Sequence, residues 1–415
     1  MRGLLLGLAL CSALAQATPW DFEPAIAVTP ESRSGLFVHL ESSGRKNIAA
    51  SAEWVAIVWE DNRDGTPRCY VSLKSSDQKI FREPLLISGK NEAAEPVIVS
   101  MGNGRFAVAW EETGQVWVRV LSTRKNSKEV QLSSPQMLSG KAGAQISLND
   151  ARGAGLYAVW SEEGEKFWQI RMSKLEINKQ GSIRPPSSQI VDKSAEGDQS
   201  YPSIAVLPDG KHIIAWEDRR AGHTRIMYTG LNQDKIYTVP QRLNEAPRNF
   251  INPGYGRGAG VMRVALAALG QDRVAAVWAD KRDFQSGYDV YGAFAKQDAL
   301  TFGKNEKVQD EFGDSFAQWH PAIGANDSGT VAVVWDDDRE GSPDVWLAWK
   351  TESGWSGDHA VPGASGTGVQ SDPSITIDEA GNLHLAWVEK STLDGPSQIR
   401  YLFGRAAKQN SHSIQ

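Results

Sequence analysis

The chain has almost no cysteine. Of its 415 residues two are cysteine, Cys11 in an apolar leader and Cys69 in the body. No internal disulfide can therefore staple the fold once the leader is gone, and packing must hold it. An excess of positive charge is missing too. The 44 Lys+Arg against 50 Asp+Glu build no basic field, which argues against nucleic acid as a partner. After the leader no apolar run reaches 18 residues, so no membrane span is expected. The histidines (39, 212, 223, 320, 359, 384 and 412) show no HxH, HExxH or Cys-paired spacing, and no metal site or cofactor is expected. Asp336-Asp337-Asp338 with Asp344 lacks the ligand alternation and distal Glu of a calcium loop, and Arg339 would repel a cation there. Neither a GxSxG elbow nor a Gly-rich phosphate loop occurs. Helical periodicity of useful length is also absent.

What the chain has is tryptophan at regular intervals. Trp59, Trp110, Trp160, Trp216, Trp278, Trp335 and Trp387 each follow four mostly apolar residues, at spacings of 51, 50, 56, 62, 57 and 52. Seven copies of one small unit mean an array in which no unit buries its own apolar face. The runs before the Trp, such as VAVVW (331–335) and VAIVW (55–59), fit a strand covered on both faces. One copy reads as four short strands: a first opening at Pro321, a second from Val331 to Trp335, a third from Asp344 to Trp349, and a fourth near His359 to Val361. The third strand carries an aromatic in nearly every copy: Tyr70, Trp117, Trp168, Tyr228, Tyr291, Trp346 and Tyr401. A Pro fourteen residues ahead of the Trp (Pro96, Pro202, Pro321, Pro373) can begin a strand without breaking a ladder. All-β with this period predicts a seven-bladed β-propeller of four-stranded blades.

The ends predict how the ring closes. After Tyr401 too little chain remains for a fourth strand, whereas Asp21–Val28 (DFEPAIAV) resembles Phe81–Ser88 (FREPLLIS), a fourth strand. The N-terminal segment is therefore expected to complete the last blade and cover its edge. Residues 1–17, with Arg2, an apolar run and Ala15-Gln16-Ala17, read as a signal peptide cleaved after Ala17. The remainder, 18–415, reads as one propeller domain, a monomer, secreted or periplasmic.

Two groups of residues are candidates for function. Four copies place Asp and Arg two and four residues after the Trp: Asp61/Arg63, Asp218/Arg220, Asp280/Arg282 and Asp337/Arg339. Repetition in four blades points to a structural job done blade by blade, with Arg on a nearby carboxylate such as Asp344 or Asp289. As a rim, the same four forks could instead meet an acidic ligand. The second group lies in two connections, 244–260 and 310–320. These offer Arg248, Phe250, Tyr255 and Arg257, and Asp314, Trp319 and His320, as ligand-binding residues on loops of a rigid scaffold.

The recurring W-x-D-x-R-x-G pattern followed by D-[IV]-[YW] resembles secreted bacterial propellers of the sialidase-like (neuraminidase) superfamily. Its Asp-boxes (S-x-D-x-G-x-x-W) and Arg-Ile-Pro segment are absent, and seven copies replace the usual six blades, so no catalytic residue carries over. The resemblance implies an exported, non-catalytic propeller that binds a glycan or a protein partner through one rim. The alternative is a carbohydrate-active enzyme, a glycoside hydrolase or polysaccharide lyase, using rim carboxylates.

Overall fold

The computed structural model describes residues 17–40, 44–124, 127, 129–151, 155–178, 181–184, 187–231, 237–246, 260–282, 287–296 and 301–407. Seven antiparallel sheets follow one another along the chain. The sixth shows the pattern: Trp319–Ala325 pairs with Val331–Asp337, which pairs with Asp344–Thr351, and His359–Ala360 closes the outer edge. The innermost strands pack on one another around the ring, the seventh against the first. All seven line one axial channel. The protein is a seven-bladed β-propeller, its blades numbered here 1 to 7 by their Trp.

The N-terminal segment closes the ring. Trp20–Phe22 pairs with residues 404–406 and Ile26–Ala27 with residues 400–401, on the third strand of blade 7. Beyond this ladder, Val28 donates to the Ile399 carbonyl at 2.8 Å and Thr29 Oγ1 accepts from the Ile399 N–H at 3.0 Å. A strand that would otherwise present bare N–H and C=O groups is thereby paired. Residues 1–16, which hold most of the expected signal peptide, lie outside the described residues.

The core is divided among the joints between blades. Seven hydrophobic clusters each draw on two neighbouring blades. The seven repeat Trp are all fully buried, and each sits in the cluster shared with the preceding blade; Trp335, for example, packs among residues of blade 5 such as Val277 and Val290. Small residues beside it, such as Ala275 and Ala348, let the sheets approach while the indole fills the remaining space.

The repeated prolines do not begin the inner strands. In blades 2, 4, 6 and 7 pairing starts ahead of the Pro, at Ala93, Gln199, Trp319 and Val369. Each Pro falls inside a register shift, between Ala94 and Val97, Ser200 and Ser203, Trp319 and Ala322, and Ser371 and Ser374. A bulge leaves its extra residue out of the ladder, so a missing N–H costs nothing there. Blades 3 and 5 bulge at the same place without Pro. The bulge lies where the inner strand begins, opposite the end of the second strand (Gln199 pairs with Asp218). It therefore shares one face of the ring with the turns that follow the Trp. We call this the near face.

Candidate site at the channel mouth

The turn after each Trp is latched to it. In blade 6 the Trp335 indole N–H donates to Asp337 at 3.1 Å. The backbone N–H of Arg339 donates to the same carboxylate at 3.2 Å, and its Nη2 at 2.6 Å. Its Nη1 reaches Asp358 at 2.8 Å. Blades 1, 4 and 5 repeat this: Trp59, Trp216 and Trp278 donate to Asp61, Asp218 and Asp280, on which Arg63, Arg220 and Arg282 fold back. Bonding to Asp218 and Asp192 raises the Arg220 pKa above its ordinary value. The guanidinium carbons of Arg63, Arg282 and Arg339 also lie 4.5, 3.9 and 4.0 Å from the ring centres of Tyr70, Tyr291 and Trp346. The Arg339 partners are thus Asp337 and Asp358, while Asp344 accepts from the Gly366 N–H instead. In blades 2 and 3 a Glu takes the indole, Glu112 and Glu162 each at 3.0 Å. Blade 7 departs, since the Trp387 N–H has no hydrogen-bond partner among the described residues and Glu389 meets Arg400 at 3.5 Å.

Nearer the axis the geometry also repeats, but the chemistry does not. The residue fifteen positions before the Trp, just ahead of the prolines, has positive φ in blades 2 to 7. These residues are Glu95, Gln145, Tyr201, Arg263, His320 and Asp372, with φ between 49° and 60°. None is glycine, and this left-handed conformation costs an L-residue roughly 1–3 kcal/mol at strained sites. In blade 1 Gly44 takes φ 77°, and the strand register puts Arg45 level with Glu95. One backbone device thus carries a different side chain in each of six blades.

These side chains touch one another around the channel mouth. Arg45 meets Glu95 at 2.6 Å and Glu111 at 3.6 Å, and also donates to the Ile146 carbonyl of blade 3. Gln145 accepts from the Tyr201 N–H at 2.9 Å. Arg263 stacks on Tyr201, 3.3 Å from its ring centre, and donates its backbone N–H to Glu217 at 2.8 Å. His320 Nδ1 lies 2.7 Å from Asp336, and its Nε2 lies 3.5 Å from Asp372. The Asp372 N–H also donates to Asp336 at 3.1 Å. Burial pushes the Asp336 carboxyl up to about 6, against the pull of His320. Burial likewise raises Glu217, partly offset by Arg263. The ring holds five carboxylates (Glu95, Glu111, Glu217, Asp336, Asp372) against Arg45, Arg263 and His320.

Of the residues singled out from the connections, Trp319 and His320 reach this mouth, as the first two residues of the blade 6 inner strand. Trp319 is 39% exposed, with its ring 5.3 Å from that of Tyr288. Asp314 is drawn outward to Lys307 on an outer strand, at 2.8 Å. Arg248, Phe250, Tyr255 and Arg257 lie outside the described residues. Asp336 and Asp337 point to opposite faces of their strand, one to His320 and the other to Trp335, so they cannot share one ion. Among the described residues no group of three His, Cys, Asp or Glu is placed to hold a metal. No helix among them is long and apolar enough to cross a membrane.

No known family profile and no curated protein matches the chain. Solved structures share its architecture. A protein of unknown function from Dyadobacter fermentans aligns over 94% of this chain and 100% of its own, at 10% identity and a TM-score of 0.52. An α-L-arabinanase of Penicillium chrysogenum, complexed with arabinobiose, aligns over 92% and 98%, at 10% identity and a TM-score of 0.47. A puromycin-hydrolyzing peptidase of Mycobacterium tuberculosis aligns over 88% of this chain and 51% of its own, at 13% identity and a TM-score of 0.49. At such identities the likeness is one of fold alone.

Proposed function

We propose that the protein binds a carbohydrate at the near mouth of its channel, outside the cytoplasm. One sugar ring stacks on Trp319, and its hydroxyls bond to His320, Asp372, Arg263 and Glu95. The observation that carries this reading is the ring of strained bulges. A blade-by-blade structural role would fill six equivalent positions alike, as the Trp positions are filled. Instead the six differ, and strained backbone clusters where function over-determines it. Five carboxylates and two paired arginines make a poor receptor for an acidic ligand, whereas alternating donors and acceptors beside a half-exposed indole suit neutral hydroxyls. The apolar leader ending at Ala17 supports export, with the secreted and periplasmic destinations both open to it.

A second reading, glycoside hydrolysis, is favoured by Asp336 alone, since a carboxyl titrating at about 6 can hold a proton for a leaving group. A glycan array probed with protein lacking residues 1–17, followed by calorimetry and turnover assays on the hits, tests both. Binding without turnover, lost tenfold or more in Trp319→Ala at unchanged Tm, is the expected result. Retention of no glycan, or full affinity in Trp319→Ala, would overturn the proposal, and product formation abolished by Asp336→Asn would establish the second reading.

A further inference from the structure

Behind the mouth the channel holds a cavity of about 400 Å³, within the size of small-molecule sites. Its waist is apolar, formed by Ile48, Ile98, Ala267, Ile323 and Ile375. Its far end carries Asp150, Asp327, Asp378 and Glu379. Lys46 is the only basic residue among the lining residues. By strand register it stands level with Pro96, Ile146, Pro202, Val264, Pro321 and Pro373, so one ammonium replaces an apolar side chain in a row of seven. No carboxylate or hydrogen-bond acceptor of the described residues pairs with it. Enclosure by the bore lowers its pKa to about 8, which leaves it largely charged at neutral pH.

A cation that lines the bore with no counter-ion among the described residues is left to water or to a bound anion. We propose that the bore is a second ligand site, which takes a small monocarboxylate with an apolar body, its carboxylate on the Lys46 ammonium and its body against the isoleucine waist. A single ammonium matches a monoanion, and the carboxylates at the far end exclude polyanions. The site is independent of the sugar site at the mouth.

The full chain is titrated with hexanoate and with uncharged hexanamide, by calorimetry and thermal shift. Hexanoate is expected to bind and raise Tm, hexanamide to bind at least tenfold more weakly, and Lys46→Met to lose the hexanoate response. Trp319→Ala should keep that response, which separates this site from the mouth. Lys46→Gln provides the same test should Lys46→Met not fold. Equal binding of acid and amide, stabilisation by chloride equal to that by hexanoate, or an undiminished hexanoate response in the Lys46 variant would overturn the proposal.

Discussion

Two positions recur in these blades with nearly constant backbone geometry, and they are filled in opposite ways. Two residues after the repeat Trp stands a carboxylate in every blade, Asp in four and Glu in three, and in six of the seven it accepts the indole N–H. Fifteen residues before the Trp, six blades share one positive-φ bulge and hold six different residues. At the first position a single solution meets a need that every blade has, to satisfy a buried indole and anchor a turn. At the second the backbone is held and the side chain is free to differ, because the positions converge on one axis and each faces a different part of whatever enters. In a ring, repetition of side chains marks construction, and variation on a repeated backbone marks the site.

Breaking the latch should cost most. Trp335→Ala empties a fully buried site and is expected to destabilise by roughly 3–5 kcal/mol, read by denaturant melts. Arg339→Ala leaves Asp337 and Asp358 buried without their cation and should cost about 3 kcal/mol. The same change at Arg63, about a third exposed, should cost only about 0–1 kcal/mol. Equal losses at Arg339 and Arg63 would mean that burial does not set the strength of the latch.

At the mouth the expected signature is different. The carboxyl of Asp336 titrates at about 6, above the 3.8 of an ordinary aspartate, so the folded protein takes up its proton first. Its contribution to stability therefore grows as pH falls from about 6 towards 4 and is lost as pH rises back. His212, lowered to about 4 by burial, works in the opposite sense over the same range, because the unfolded chain protonates it first. The difference in Tm between wild type and Asp336→Asn, followed from pH 7 to 4, isolates the first effect. Wild type should gain relative to the variant on acidification, and a flat difference would contradict the burial of Asp336. Asp372→Gly relieves a strained φ while giving up a 3.5 Å contact with His320, and its stability should change by no more than about 1 kcal/mol.

The sequence made the first position legible and concealed the second for one reason. Trp and Asp announce themselves by recurrence, so the seven blades, the second strands and a closing segment at residues 21–28 are legible in the sequence. The ring of bulges has no recurring letter, because Glu95, Gln145, Tyr201, Arg263, His320 and Asp372 share only a φ angle. The prolines beside four of them suit a strand opening as well as a bulge, so they do not single the bulge out. Asp336 was hidden in another way, inside an acidic triplet whose members the strand sends to opposite faces. Trp319 and His320 were found as loop residues, although the structure makes them part of the inner strand. No pattern in the sequence tied Lys46 to a channel, since the register of blade 1 is offset by one residue from the others.

The central claim is that the mouth recognises a ligand and the latches do not. It is tested by measuring glycan affinity and Tm together on two sets of variants. Arg63→Ala, Arg220→Ala, Arg282→Ala and Arg339→Ala form one set, and Trp319→Ala, His320→Ala and Asp372→Ala the other. The account predicts that the first set keeps affinity while losing Tm, most at Arg339 and least at Arg63, and that the second keeps Tm within a few degrees and loses affinity tenfold or more. Affinity lost across the four latch arginines at unchanged Tm, with the mouth variants binding as wild type, would contradict it.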